Sequence, residues 1–334
     1  MTNLFAQTCK TGAMAVSAED DQRLRDALHA AKLYYQQDLT MEAIGRELRV
    51  SRSSVSRLLA LARNSGIVDI RITSPSDEPR RIESQIRSRY GVRGYLVPVP
   101  DRVSPIERLE RVAMSAARML GEFFSSNMTM GVAWGQTIGA ISRHLVRKPT
   151  TNSEVVQLNG AGNDHTTGVT YSSEILSRFG VAYNARVEHF PVPAFFDNPQ
   201  TKKLLWAERS TQRVRDLRRR MDIALFGLGS MRSEVPGQVY TAGYLSSAEM
   251  SSLAADGVVG DVATVFFRSD GSWSDIALNQ RSSGPDLDQL RLTPRRLCVV
   301  SGPSRLDALR GALAAELITD LIVDTRTARA LIDD

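Results

Sequence analysis

The sequence predicts an α/β protein in two parts, an N-terminal winged helix-turn-helix followed by a Rossmann-like domain. Two observations carry this. Residues 39–66 hold two short helical patterns joined by a tight turn, each opened by a hydroxyl residue. From Gly94 onward, short apolar strands alternate with helical stretches, the pattern of βαβ units and a mostly parallel sheet. The length of 334 residues exceeds the usual single-domain range and fits such a division.

Composition narrows the class. The hydrophobic share of 42% and charged share of 24% are ordinary for a globular chain, and the formal net charge of +5 permits nucleic-acid binding without implying it. Cys9 and Cys298 are far apart, which argues against a disulfide scaffold or a Cys zinc site and suits a reducing cytoplasm. No apolar run approaches the ~18–20 residues of a membrane span. The opening MTNLFAQTCK lacks the apolar core of a secretory signal. The expectation is a cytoplasmic protein without a cofactor. His29 and His144 sit singly on helical stretches, and His165 and His189 lack ligand-type spacing, so no metal is expected either.

In chain order, residues 1–19 are small and polar and read as a disordered arm. Residues 20–73 read as the helix-turn-helix domain. Leu24, Ala27, Leu28, Ala31 and Tyr35 recur at helical spacing in its first helix. Thr40 can cap a second helix running to about Leu48, with Ile44 and Leu48 inward, Gly45 at a helix crossing and Val50 plugging the turn. Ser51 can cap a third helix, in which Val55, Leu58, Leu59 and Ala62 form the buried stripe. The strand-like GIVDIRIT, residues 66–73, would be the wing. Residues 74–93 read as a Ser/Pro-rich linker and a short helix with Ile82 and Ile86 on one face. Residues 94–334 hold the strand–helix alternation.

The third helix carries the clearest chemistry. Arg52, Ser53, Ser54, Ser56 and Arg57 lie opposite its apolar stripe, and no Asp or Glu occurs from Leu48 through Val68. Such a face does not repel a phosphate backbone, its N-terminal dipole attracts one, and small hydroxyl residues allow close entry into the major groove. With Thr40 and Ser51 at the caps, this is the candidate DNA-reading surface. A solvated amphipathic helix pair is the plainer alternative. The basic run RVRDLRRR, residues 213–220, reads better as a solvated helix face than as a second DNA contact.

The chain resembles the SorC family of bacterial sugar-responsive regulators from about Asp21 to Ile332. The segments are LTMEAIGRELRVSRSSVSRLLALARNSGIVDIRI, MTMGVAWGQTIGAI, VVQLNGAG, DIALFGLGSM, GVVGDVATVFFRSDG and LITDLIVDTRTARALI, in that order. The resemblance implies a C-terminal domain of the sugar-phosphate-isomerase/deaminase type and a sugar or polyol phosphate effector. It also implies operator DNA as partner and a homo-oligomer, dimer or tetramer. On this reading the protein is a regulator, with repression the expected mode, of a carbohydrate or polyol catabolic operon.

The residues themselves suggest where an effector would sit. Trp134, Gly135, Gln136 and Thr137 lie between a strand and a helix, where Gly135 lets a backbone approach and the helix start offers free N–H groups. Trp134 and Gln136 depart from the more usual Gly-Thr-Thr type of loop; Trp134 either stacks on a sugar or fills space. The resemblance adds Asn159, Asp261 and Arg305, and Gly227 with Gly229 ends another strand facing the same crevice. Arg305 stands where many relatives carry Lys.

Two rivals belong to other classes. An isomerase or deaminase with a DNA-binding head needs an acid/base pair near the open-chain sugar. The deaminase-like enzymes are expected to run from their glycine-rich strand end into an Asp and a His, whereas FGLGS continues here as MRSEV. The other rival is a DNA-binding protein whose second domain only oligomerises.

Overall fold

The computed structural model describes residues 18–35, 39–68 and 78–333. Residues 1–17 of the expected arm and 69–73 of the expected wing fall outside them, while Ala18 and Glu19, expected in the arm, open the first helix. The chain separates into two compact units, residues 1–75 and 76–334.

The first unit holds α1 (Ala18–Tyr35), α2 (Met41–Leu48) and α3 (Arg52–Asn64). Each cap works as its residue type allows. Thr40 Oγ1 accepts from the Ala43 N–H at 3.2 Å, and Ser51 Oγ from the Ser54 N–H at 3.1 Å. Arg49 closes α2 in the left-handed region, φ 56°, and the Val50 N–H returns to the Gly45 carbonyl at 2.9 Å. Gly45 is required by that turn rather than by a helix crossing, since a Cβ there would lie 2.8 Å from the Val50 carbonyl oxygen. Val50 itself is 39% exposed and does not plug the turn; its backbone does the closing. Ala27, Ala30, Ala31, Ile44, Val55, Leu59 and Ala62 form the small core. Of the residues recurring at helical spacing in α1, Ala27 and Ala31 are buried, with Ala30 beside them, whereas Leu28 is exposed.

The second unit begins with α4 (Glu78–Tyr90), whose Ile82 and Ile86 are buried in this unit's core. Then follow β1 (Arg93–Val97), α5 (Pro105–Phe123), β2 (Thr129–Val132), α6 (Gln136–Arg143), β3 (Glu154–Gln157), α7 (Val169–Tyr183) and β4 (Arg186–Glu188). After them come α8 (Pro199–Ala207), α9 (Arg209–Arg219), β5 (Ile223–Gly227), α10 (Gln238–Thr241), α11 (Ser247–Ala255), β6 (Val258–Val262) and β7 (Val265–Arg268). The chain ends with α12 (Leu287–Arg291), β8 (Arg295–Val300), α13 (Leu306–Ala314), β9 (Asp320–Asp324) and α14 (Thr325–Ile332).

Seven strands form one parallel sheet in the order β1-β9-β8-β5-β2-β3-β4. β2 and β5 are mostly buried, and so are the apolar stretches Leu297–Val300 of β8 and Leu321–Val323 of β9, as in strands covered on both faces. The segment VATVFFRS does not continue this series. It folds as β7 in an antiparallel pair with β6, apart from the main sheet. A turn at Ala263 and Thr264, both at positive φ, is too short for a parallel crossover, so the two strands must run antiparallel.

The first strand lies beside the last, β1 on β9. A buried ion pair ties the same region: Arg108 Nη1 meets Asp324 Oδ1 at 3.1 Å, with the side chains 4% and 0% exposed. Strand order reverses between β2 and β5, from which successive strands run outward in opposite directions. Their carboxyl ends open there, the place where a doubly wound sheet presents a crevice.

Candidate functional site

At that crevice the structure brings together Trp134, Gly135, Gln136, Thr137, Asn159, Gly227, Asp261 and Arg305 around one cavity of about 60 Å³. Leu228, Gly229, Gln238, Tyr240 and Thr264 complete much of the wall. Gly135 stands at φ 137°, a backbone that side chains rarely adopt, and precedes the free N–H groups of α6. Two glycines hold space open for neighbours. A Cβ on Gly227 would come within 3.0 Å of Thr137, and one on Gly229 within 1.8 Å of Asp261 Oδ1.

The polar groups differ in what they have left to give. The side-chain amide oxygens of Gln136 and Asn159 are buried without a hydrogen-bond partner. A buried acceptor left unpaired costs about 1–3 kcal/mol, so these two favour a donor arriving in the cavity. Asp261 is 4% exposed; its Oδ1 accepts from the Tyr240 hydroxyl at 2.6 Å and its Oδ2 from the Thr264 N–H at 3.0 Å. Burial pushes its carboxyl above the ordinary range, while those two hydrogen bonds pull the other way. Burial, reinforced by Asp261, raises the Tyr240 hydroxyl well above its ordinary value, so it stays a donor.

Trp134 and Arg305 are more committed. The Trp134 indole N–H reaches the carbonyls of Asn159 and Gly160 at 3.2 and 2.9 Å, and its ring lies 5.2 Å from that of Tyr244. It fills space at the cavity wall. The Arg305 guanidinium donates to the carbonyls of Leu228, Ser301 and Val235 at 3.3, 3.0 and 2.8 Å. It ties the β5 and β8 loops together, and burial lowers its pKa.

Tyr240 and Thr264 escaped the sequence reading. Tyr240 sits on a single-turn helix without apolar periodicity, and Thr264 in a turn, so neither carries a local signal. The only hint was Asp261 itself, whose burial demands donors.

On the head, Ser53, Ser56 and Arg57 are exposed along α3, with Ser54 half-buried. Ser51 Oγ lies 2.8 Å from Ser53 Oγ and 3.0 Å from Ser54 Oγ, and Arg57 donates to Ser54 Oγ at 3.3 Å. Arg52 is paired across the turn with Glu42, Nε to Oε1 at 2.9 Å, both side chains being mostly exposed. α3 has no acid of its own, yet one reaches it from α2.

The basic run 213–220 is not simply a solvated face. Arg218 is 8% exposed because it shares with Val214 and Leu217 the face of α9 turned inward. Among the described residues, no three His, Cys, Asp or Glu side chains converge on a metal site, and no helix is long and apolar enough to cross a membrane.

Comparison with known proteins accords with this geometry. The family described as "Putative sugar-binding domain" matches residues 74–333. The deoxyribonucleoside regulator of Bacillus subtilis (strain 168) is 32% identical over 318 residues, spanning 94% of this chain and 99% of that protein. A domain of a possible sugar-binding transcriptional regulator from Arthrobacter aurescens TC1 is 57% identical with a TM-score of 0.72, covering 78% of this chain and all of that one. The full-length sorbitol operon regulator SorC of Klebsiella pneumoniae superposes with a TM-score of 0.78 over 92% of this chain and 98% of its own, at 23% identity. Matched across its second unit by the sugar-binding family and along almost its whole length by these regulators, the chain belongs to the SorC family of sugar-binding transcriptional regulators.

Proposed function

We propose that the protein is a cytoplasmic repressor of a carbohydrate or polyol catabolic operon, released from or tightened on its operator by a sugar or polyol phosphate bound at the β2–β5 crevice. The observation that carries the effector reading is the pair of buried, unpartnered amide oxygens of Gln136 and Asn159. Ligand hydroxyls donate to them and to Asp261, while the phosphoryl end lies over the N–H groups opening α6, behind Gly135. Arg305 contributes positive potential from the wall while its N–H groups hold the loops.

In this reading α3 enters the major groove, with Thr40 and Ser51 fixing the helix ends and Arg52, Ser53, Ser54, Ser56 and Arg57 facing DNA. A dimer or tetramer sets the spacing of the heads. The effector acts by preferring one arrangement of that oligomer, since a ligand indifferent to both would shift nothing.

The cavity wall supports binding without catalysis. It holds one carboxylate, Asp261, already hydrogen-bonded on both oxygens, and neither His nor Lys to complete an acid/base pair. Turnover of a sugar phosphate by the purified protein would overturn this part.

The test is a thermal-shift screen of sugars, polyols and their phosphates on the full chain, repeated with Gly135→Asp. A ligand of the native state raises the melting temperature of the parent, and Gly135→Asp abolishes the rise while retaining operator binding. No rise with any such compound would leave the second domain as an oligomerisation module.

A further inference from the structure

Another cavity of the second unit, about 400 Å³, shares no lining residue with the crevice. It opens among α8, α9, the segment 279–287 and the start of α12. Its walls include Lys202, Arg215 and Arg218, with Trp206 and Trp273 beside them.

These three cations are unusually placed. Arg218 is 8% exposed, and among the described residues its guanidinium meets the Ser283 carbonyl at 3.4 Å and the face of Phe190, 4.9 Å away. Lys202 and Arg215 both lie 5.7 Å from the Trp206 ring centre, and each donates to one backbone carbonyl, of Asn279 and Trp206 respectively. Among the described residues none of the three forms an ion pair with a carboxylate. Asp286, the acid in the wall, is exposed and caps α12 through the N–H groups of Asp288 and Gln289. A buried cation is normally paired, because desolvation otherwise goes uncompensated. Burial, aided by the neighbouring arginines, pushes Lys202 down to about 8, and burial likewise pushes Arg218 down to about 9.

We propose that this cavity is a second, separate binding site for a phosphorylated small molecule, its phosphoryl oxygens met by Lys202, Arg215 and Arg218. Arg supplies the planar fork that phosphate accepts, and the two tryptophans provide flat walls for the rest of the ligand. The recess argues for a small anion: a duplex phosphate backbone cannot reach Arg218 at the back of the cavity. The site adjoins the crevice through a short polar link. Thr264, whose N–H binds Asp261, has its hydroxyl 3.1 Å from that of Ser282, next to the Ser283 carbonyl that accepts from Arg218.

Inorganic pyrophosphate is the probe, titrated calorimetrically into the full chain. It should bind the parent and also Gly135→Asp, and the double variant Lys202→Met/Arg215→Gln, on the Gly135→Asp background, should weaken it at least tenfold. Should that variant lose its cooperative unfolding, Arg215→Gln alone carries the same comparison and should weaken binding severalfold. Loss of binding in Gly135→Asp would place pyrophosphate in the crevice and overturn the proposal. So would undiminished affinity in the Lys202/Arg215 variants, or no binding to the parent. A changed sedimentation coefficient in those variants, with no pyrophosphate bound to the parent, would overturn it in favour of a contact between copies of the chain. Failure of the crevice reading appears elsewhere, as a sugar-phosphate thermal shift insensitive to Gly135→Asp.

Discussion

The Tyr240 hydroxyl donates to Asp261 Oδ1 at 2.6 Å, from a helix of one turn onto a strand of a separate two-stranded sheet. Gly229 makes room for the pair, since any Cβ there would meet the same carboxylate oxygen. Tyr240→Phe removes a donor from a buried carboxylate and should cost about 1–3 kcal/mol of stability. It should also lower affinity for the effector, because Asp261 is no longer held toward the cavity. Urea denaturation and effector titration read the two effects. Unchanged values in both would show that Tyr240 does not position Asp261.

On the head, Arg52→Ala and Arg57→Ala should each weaken operator binding by about 1–3 kcal/mol where they grip bases, or lower the salt slope by about 1 where they meet phosphates. Neither should alter the effector's thermal shift. Glu42→Gln frees Arg52 from its exposed pair and should tighten binding at low salt. Fluorescence anisotropy over a salt series measures all three, and intact affinity in both Arg variants would mean that α3 is not the reading helix.

The Arg108–Asp324 pair joins the start of α5 to the end of β9, and Arg108 also donates to the carbonyls of Pro100 and Asp101. Arg108→Met leaves Asp324 buried without its cation and should destabilise the second unit by about 3–5 kcal/mol. Chemical denaturation checks this. A loss below about 1 kcal/mol would mean that the N–H and hydroxyl donors from Gly302 and Thr327 suffice for Asp324.

Arg213 donates to Glu188 at 2.5 Å, and that hydrogen bond is the largest cause holding the Glu188 carboxyl below its ordinary value. A lowered folded-state pKa means stability that is present above the ordinary glutamate pKa and lost as pH falls through the folded value. Arg213 is 57% exposed, so Arg213→Ala should cost at most about 1 kcal/mol at neutral pH. The difference between variant and parent should vanish as the solution is acidified below the carboxylate range. A difference that persists there would assign the effect to packing of the arginine stem.

Much of this protein is written in short-range patterns. Thr40 and Ser51 act as caps because a hydroxyl preceding an apolar-periodic stretch satisfies free N–H groups wherever it occurs. The burial of Val55, Leu59 and Ala62 follows from helical spacing, and the parallel sheet from apolar runs alternating with helices. Part of the crevice was legible for a related reason: Trp134–Thr137 follow β2 and Gly227 ends β5, and the carboxyl ends of a parallel sheet share one edge, whereas Asn159, Asp261 and Arg305 came only with the family resemblance.

What lies outside that reach depends on contacts between distant segments. Periodicity placed β7 as one more strand, but only the tight turn at Ala263 and Thr264 set it against β6 and away from the main sheet. No spacing rule brings Glu42 to Arg52, sends the Arg305 N–H groups to three carbonyls, or turns Arg218 from an apparently solvated run into the back of a cavity. Local spacing determines which face of an element is apolar. Which groups that face meets, and whether a charge there is paired, screened or left waiting for a ligand, is decided only when the chain closes on itself and water is excluded.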